Sequence, residues 1–324
     1  MIRVALLVLN NGLVSTVTGP LEILMGAGTA YNQLTGKPVK PIFKVKLVSI
    51  DGKSVRGLSG FEFNVQDAIN NTHEFDLILI TSGGDNIPTL LKEHKQAIPW
   101  LRKQYEQGAT LASICSGSAL LAATGLLCGK QATTHWGLVQ TFRLHFPDVR
   151  LTPEHLIVEE DRLITSGGAS ACNDLSLYLI EKYYDKKTAI DCANAFLLDT
   201  GRQSQTQFSA LLHQRAHNDP VIAETQEIME SDYASILNLD TLAAKICMSP
   251  RNFKRRFKNA TGEQPLNYLQ KVRIEAAKNL ISDTRKNIEE VSLAVGYTDA
   301  THFRMLFKRY AGLSPTQYRA KFRT

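Results

Sequence analysis

The chain has 324 residues, 44% hydrophobic and 21% charged, a globular composition of a length that suggests about two domains. No apolar run reaches the ~20 residues of a membrane span, and five scattered cysteines (Cys115, Cys128, Cys172, Cys192, Cys247) make neither a disulfide framework nor a metal-ligand spacing, so a cytoplasmic protein without membrane, metal or cofactor is expected. The net charge of +6 is uneven: residues 241–324 hold 17 Lys and Arg against 6 Asp and Glu, leaving the remainder at −5, so one end is built for a polyanion.

Arg3 to Leu9 is a short apolar run bounded by Asn10-Asn11-Gly12, without a small-residue cleavage site, and reads as a buried strand rather than a signal peptide. Thr18 to Ala30 reads as a helix with Pro20 near its start and Leu21, Ile23, Leu24 and Met25 as core candidates. Lys44 to Ile50 and Leu77 to Thr81 read as strands, the second running into Ser82-Gly83-Gly84. Asn86 to Gln107 is a helical stretch that Pro99 could interrupt, and Thr110 to Ile114 is the next strand. Cys115-Ser116-Gly117 leads into a helix over Ser118 to Ala123. Leu163 to Thr165 is a strand, followed by Gly167-Gly168 and a helix from Ala169 to Tyr184. Short apolar strands alternating with helices predict an α/β fold, a parallel sheet with helices on both faces.

Ligands of such sheets bind outside the carboxyl ends of strands. Ser82-Gly83-Gly84 and Cys115-Ser116-Gly117 fall there, and the second has the form of a nucleophile elbow, with Ser113 and Gly117 as the small neighbours a sharp strand-to-helix turn needs. The Ser116 amide at a helix N-terminus is suited to an anion or oxyanion, and the same position lowers a thiol pKa. Thr133-Thr134-His135-Trp136 follows.

Gly201 to Gln207 is polar and glycine-led, either a loop near an interface or an exit strand. Residues 201–218 are assigned as the linker between a domain over 1–200 and one over 219–324, with His213 to Asp219 as its clearest part and Pro220 opening the first helix beyond it. From Thr241 the chain repeats itself after fifty positions: Ala244 with Ala294, Phe253 with Phe303, Phe257 with Phe307, Lys258 with Lys308, Gly262 with Gly312, Pro265 with Pro315, Tyr268 with Tyr318, Lys271 with Lys321 and Arg273 with Arg323. Each copy reads as helix, tight turn, helix. Asp240 or Thr241 caps the first helix, which runs through Cys247. Ser249 caps the next with Pro250 at its first position. Ile288 to Val295 and a helix capped by Asp299 form the second copy. Each phenylalanine pair spaced by four faces a core. The opposite faces carry Arg251, Asn252, Lys254 and Arg255 in one copy and Ala300, Thr301, His302 and Arg304 in the other. A short helix packed across a second helix with a basic outer face is the helix-turn-helix design, and two copies can occupy successive major grooves roughly 34 Å apart. Arg reads guanine, and Ala or Thr meets a thymine methyl; Arg256, Lys258, Lys308 and Arg309 are left as solvated charge or phosphate contacts.

Residues 219–324 resemble the AraC-type DNA-binding domain over its whole length, through Leu242-Ala243-Ala244, Met248-Ser249-Pro250-Arg251, Thr261-Gly262, Gly296-Tyr297, Phe307-Lys308 and Ser314-Pro315 among other points. That resemblance implies seven helices, the one near Asn267 to Ser282 joining the two motifs. Residues 1–190 resemble the PfpI/ThiJ class I amidotransferase-like superfamily, through Gly19-Pro20-Leu21-Glu22, the glycine pair, the Cys115 elbow, His135, and Thr165 to Gly168 with Asp174. It implies a flavodoxin-like sandwich, and it casts Glu22 as the acid beside the elbow cysteine. The order of the two domains resembles GlxA-type transcription regulators, whose first domain is a sensor and dimerisation module for nitrogen metabolites such as arginine, betaine or carnitine. The expected partners are double-stranded DNA, a small-molecule effector and a second copy of the chain, with RNA polymerase a further candidate.

Cys115 then has three readings: nucleophile, pocket residue or structural elbow, with an oxidation-sensing thiol as a variant. Covalent chemistry needs a base and an orienting third group. His135 could be the base, but no third group is identifiable, so no catalytic residue is assigned. Glu22, Gly83, Gly84, Cys115, Ser116, His135 and Trp136 are taken as a ligand pocket, in which an aromatic face beside carboxylates suits a quaternary ammonium group. The rival is a cysteine-dependent amidase or hydrolase with a DNA-binding appendage.

Overall fold

A strand that is apolar on both parities has to be covered on both faces, and the first half of the chain is built on several such strands. The computed structural model describes residues 1–71, 74–202, 204–206, 217, 219–236, 238–283 and 285–322, in two units, Met1–Gln205 and Thr206–Thr324. No helix among the described residues is long and apolar enough to cross a membrane.

The strands of the first unit are β1 (Ile2–Leu7), β2 (Phe43–Ser49), β3 (Val55–Arg56), β4 (Glu62–Phe63), β5 (Asp67–Ala68), β6 (Leu77–Ile80), β7 (Thr110–Ile114), β8 (Gln131–Ala132), β9 (Arg150–Leu151), β10 (Ile157–Glu160) and β11 (Leu163–Ser166). Its helices are α1 (Ser15–Gly26), α2 (Ala30–Leu34), α3 (Ile87–Glu93), α4 (Ala97–Glu106), α5 (Gly117–Ala123), α6 (Val139–His145), α7 (Ala171–Tyr183) and α8 (Lys186–Ala195). Seven strands form one sheet in the order β10-β11-β7-β6-β1-β2-β5, parallel throughout except for the antiparallel edge strand β10. Val4, Leu6 and Val8 enter a core closed by Ile23 and Leu24 of α1 and by Leu175, Leu179 and Ile180 of α7. Ala5, Leu7 and Leu9 enter the opposite core with Leu90, Leu101, Leu120 and Phe142. From β1 the chain steps to β2 on one side and returns to β6 on the other. The carboxyl ends of β1 and β6 therefore flank a switch point, where a doubly wound sheet opens a crevice.

Three expectations shift. The first helix begins at Ser15, with Pro20 inside it, which leaves Met25 55% exposed while Ile23 and Leu24 are buried. The stretch from Asn86 to Gln107 is two helices, and the break lies before Pro99, which stands in the first turn of α4. A proline there gives up an N–H that has no partner in the helix, whereas a continuous helix would drive its ring into the preceding turn. The assigned linker begins too early: Arg202 pairs with Asp174, and Gln205 is buried in the first unit. Gln203, residues 207–216 and residue 218, most of the assigned linker, lie outside the described residues.

The second unit contains α9 (Pro220–Ser231), α10 (Leu239–Lys245), α11 (Pro250–Thr261), α12 (Pro265–Asp283), α13 (Ile288–Ala294), α14 (Ala300–Ala311) and α15 (Pro315–Phe322). The fifty-residue repeat is a repeat in space. Ser249 and Asp299 cap α11 and α14, and Gly262 and Gly312 end them at φ +81° and +74°, where a side chain would be strained. In one core Phe257 packs edge-on against Phe253 and Tyr268, with ring centroids 5.6 and 5.4 Å away; in the other Phe307 meets Phe303 and Tyr318 at 5.7 and 5.5 Å. The long α12 sends Tyr268, Leu269 and Val272 into the first core and Ile274, Ala277 and Ile281 into the second. The Arg323 member of the repeat lies outside the described residues. The cap of α10 is Asn238, whose side chain accepts from the Asp240 N–H at 2.7 Å, rather than Asp240 or Thr241, which are already helical.

Asp219 caps α9 and accepts two bonds from the Arg256 guanidinium, at 2.6 and 2.9 Å. Those bonds hold its carboxyl below the usual carboxylate range, so the pair adds stability above that range and loses it as pH falls through the lowered pKa. Asp219→Asn keeps a capping oxygen and is expected to flatten the acid-side fall in the melting temperature of the second unit, followed by calorimetry between neutral pH and the acid range. An unchanged slope would reject this account.

Candidate functional site

Cys115 follows β7 at φ +57°, a left-handed conformation that a non-glycine residue holds only under constraint from its surroundings. The constraint is visible two residues on. A methyl group at Gly117 would come within 2.5 Å of the Thr81 carbonyl oxygen, so the start of α5 is pressed onto the end of β6. The thiol is 8% exposed. Burial pushes its pKa up and the Asp85 carboxylate adds to the rise, while the backbone N–H groups of Ser116 and Ala169 and the Ser116 side chain act to lower it. The Gly83 amide is committed, donating to Ser116 Oγ at 3.0 Å. Gly83 itself leaves no room for a side chain, since a Cβ would lie 2.9 Å from Leu90 and 3.1 Å from Leu9, and Gly84 turns the loop at φ +85°.

His135 and Trp136 stand beyond β8, half-buried, with their rings tilted together at 5.1 Å. A Cβ on Gly168 would come within 1.6 Å of His135 Cδ2, so this ring rests directly on the turn after β11, whose Gly167 carbonyl accepts from the Cys115 N–H at 3.1 Å. His135 Nδ1 accepts from the Gly137 N–H at 3.0 Å. That bond puts the proton of the neutral ring on Nε2, which makes Nε2 a donor. A base working through Nε2 needs the opposite arrangement, Nδ1–H held by an acceptor.

Glu22 is exposed on α1, on the side of the helix away from the buried Thr16, Pro20 and Ile23. Thr16 is the α1 residue that reaches the crevice, fully buried with its hydroxyl 3.1 Å from that of Ser82. The elbow, the glycine loop and the His135-Trp136 pair do converge at the carboxyl ends of β6, β7 and β11.

Gln205 escaped the sequence reading. It is 3% exposed, and its amide nitrogen donates to the Thr134 carbonyl at 2.7 Å and the Pro153 carbonyl at 2.9 Å while its oxygen accepts from the Trp136 N–H at 3.3 Å. Together with the Arg202–Asp174 pair it straps the end of the first unit across the loops at residues 134–136 and 153. A polar, glycine-led stretch carries no periodic signal that distinguishes such a strap from a linker.

A protonated, shielded thiol should be a slow nucleophile. With iodoacetamide at neutral pH, the exposed Cys128 and Cys247 are expected to label well before Cys115. Peptide mass mapping checks the order, and early labelling of Cys115 would return it to the list of nucleophiles.

In the second unit, Arg251, Lys254 and Arg255 are exposed on α11 and Asn252 is half-buried, accepting from Arg255 at 3.1 Å. Thr301, His302 and Arg304 are exposed at the start of α14, with Ala300 half-buried beside them. Asp299 caps the Thr301 and His302 amides, and Arg304 pairs with Glu289 across the motif. Arg256, left by the sequence as a solvated or phosphate-binding charge, is instead held by Asp219, whereas Lys258, Lys308 and Arg309 are exposed.

The family models match two separate stretches, the DJ-1/PfpI family over residues 26–182 and a helix-turn-helix domain over residues 242–321. The chain joins a DJ-1/PfpI domain to an AraC-type helix-turn-helix domain. Two regulators share this architecture. The HTH-type transcriptional regulator GbdR of Pseudomonas aeruginosa is 26% identical over 98% of this chain and 83% of its own length. The HTH-type transcriptional regulator GlxA of Rhizobium meliloti is 25% identical over 98% and 94%. The isonitrile hydratase of Pseudomonas putida is 26% identical over 68% of this chain and 91% of the enzyme. Among solved structures, Drosophila melanogaster DJ-1beta covers 61% of this chain with a TM-score of 0.52 at 17% identity, a likeness of fold.

Proposed function

We propose that this DJ-1/PfpI–AraC-type protein is a sequence-specific transcription regulator that reads double-stranded DNA with its second unit and senses a small, nitrogen-containing metabolite with its first. The observation that carries the DNA reading is the doubled motif: two capped helices with exposed basic and polar residues, each backed by its own phenylalanine pair. Arg251, Asn252, Lys254 and Arg255 in one motif and Ala300, Thr301, His302 and Arg304 in the other are the contacts we assign. Arg304 exchanges Glu289 for DNA at modest cost, because both side chains are about half exposed. The effector pocket is assigned to the crevice lined by Gly83, Gly84, Cys115, Ser116, His135 and Trp136, and Glu22 is left out of it. The metabolite acts by favouring one arrangement of a homodimer formed through the first unit.

The test begins with duplexes selected from a random pool by the full-length protein. Arg251→Ala and Arg255→Ala are each expected to cost ~1–3 kcal/mol of discrimination at one base position. A uniform loss over all sequences would make that arginine a phosphate contact. A thermal-shift screen against amino acids and quaternary amines identifies the effector, which at ~100 times its dissociation constant adds ~2.7 kcal/mol.

The second reading, an enzyme with a DNA-binding appendage, is favoured by the likeness to the isonitrile hydratase. It requires turnover that Cys115→Ala removes. The raised thiol pKa and the orientation of His135 Nδ1 speak against it.

A further inference from the structure

The two helix-turn-helix motifs are tied together at a joint apart from the DNA-contacting residues assigned above. Arg273 of α12 is 9% exposed. Its Nε donates to the Tyr233 carbonyl at 2.9 Å and its Nη2 to the Ile236 carbonyl at 2.7 Å, so it holds the loop that leads into the first motif. The same guanidinium lies over the ring of Tyr297, 5.0 Å from its centroid, in the turn of the second motif. Gly296 brings the two segments into contact: at φ +85°, a Cβ there would stand 2.5 Å from the Ala234 carbonyl oxygen and 3.0 Å from Arg273 Nη2. The Tyr233 ring packs against both cores of the unit.

We infer that Arg273 is a positioning residue that locks the two motifs at one separation and thereby sets the spacing of the two DNA segments the protein accepts. The inference rests on the DNA reading given above. A buried guanidinium is suited to this task, because its planar fork can donate to two carbonyls while its face covers a ring, and no other side chain offers both. Without it, the loop before the first motif and the turn of the second keep their own cores and the Gly296–Ala234 contact but lose the guanidinium that holds both. Each motif would still bind its segment, whereas the register between them would relax.

Two measurements on the full-length chain test this. In the first, the selected duplexes are lengthened or shortened by one base pair between the two segments, which moves them by about 3.4 Å and rotates them by about a tenth of a turn. The wild type should lose about tenfold in affinity, equivalent to 1.4 kcal/mol, while Arg273→Met should bind all three spacings within about threefold and bind a single-segment duplex as the wild type does. In the second, which needs no DNA, spin labels at Lys258→Cys and Lys308→Cys, with Cys128 and Cys247 changed to Ser, report the distance between the exposed faces of α11 and α14. One narrow distribution should broaden in Arg273→Met and in Gly296→Ala, and Arg273→Lys should not restore it. A pool that yields no bound duplex would overturn the DNA reading and leave the joint to the spin labels. Wild-type spacing preference and a narrow distance in Arg273→Met would overturn the inference. Loss of the single-segment duplex as well would overturn it too, by showing general unfolding.

Discussion

Phe303→Ala is expected to lower the stability of the second unit by about 3–5 kcal/mol, the usual cost of deleting a fully buried phenylalanine. The ring is 0% exposed and sits between Tyr297 and Phe307, each with its centroid 5.7 Å away. The core it serves is small, running from Ile274 to Tyr318, so few neighbours can move in to fill the space. Against the ~5–15 kcal/mol that holds a typical domain together, such a loss leaves little helix-turn-helix domain folded at 37 °C. DNA binding should therefore vanish. The first unit has its own two cores, built on either face of the sheet, and should keep its melting transition. Scanning calorimetry of the full chain distinguishes the outcomes: one transition falls and the other stays. A loss under about 1 kcal/mol, or a fall of both transitions together, would contradict the packing described.

Gln205→Leu is the second large effect, expected to cost about 3 kcal/mol, because a side chain of similar size takes away a buried amide's hydrogen bonds in a place with little access to water. The Thr134 and Pro153 carbonyls and the Trp136 N–H each lose the partner that Gln205 supplies. Since the Trp136 N–H belongs to the His135-Trp136 loop, the tryptophan emission should shift to the red, with Trp100 buried and unaffected. Gln205→Glu should be no better at neutral pH: it keeps the acceptor for Trp136 but turns an oxygen toward two carbonyl oxygens. A Gln205→Leu protein as stable as the wild type, with unchanged emission, would mean that the strap carries no load.

Much of this protein can be read along the chain because its signals are local. The repeat at fifty, the Ser249-Pro250 and Asp299 helix starts, the glycine ends and the phenylalanine pairs each depend on residues within a few positions, and each appears in the structure. The strand-to-helix turn at Cys115 belongs to the same class, since the small residues at 113 and 117 are a requirement of backbone geometry. The same holds for the alternation that gave the sheet and its two covers of helices.

What only the tertiary structure decided are contacts between distant segments. Glu22 faces solvent because α1 packs on the core through Thr16, Pro20, Ile23 and Leu24, and position 22 falls on the opposite side of the helix. His135 is held as a donor by the N–H of Gly137 and seated by the absence of a side chain at Gly168. Gln205 completes the loops at residues 134 and 153, some fifty to seventy positions away. Arg273 joins two motifs through carbonyls forty and thirty-seven residues upstream. None of these leaves a period or a motif, because a buried amide or guanidinium is selected by the geometry of the backbone groups around it, and that geometry exists only once the chain has folded.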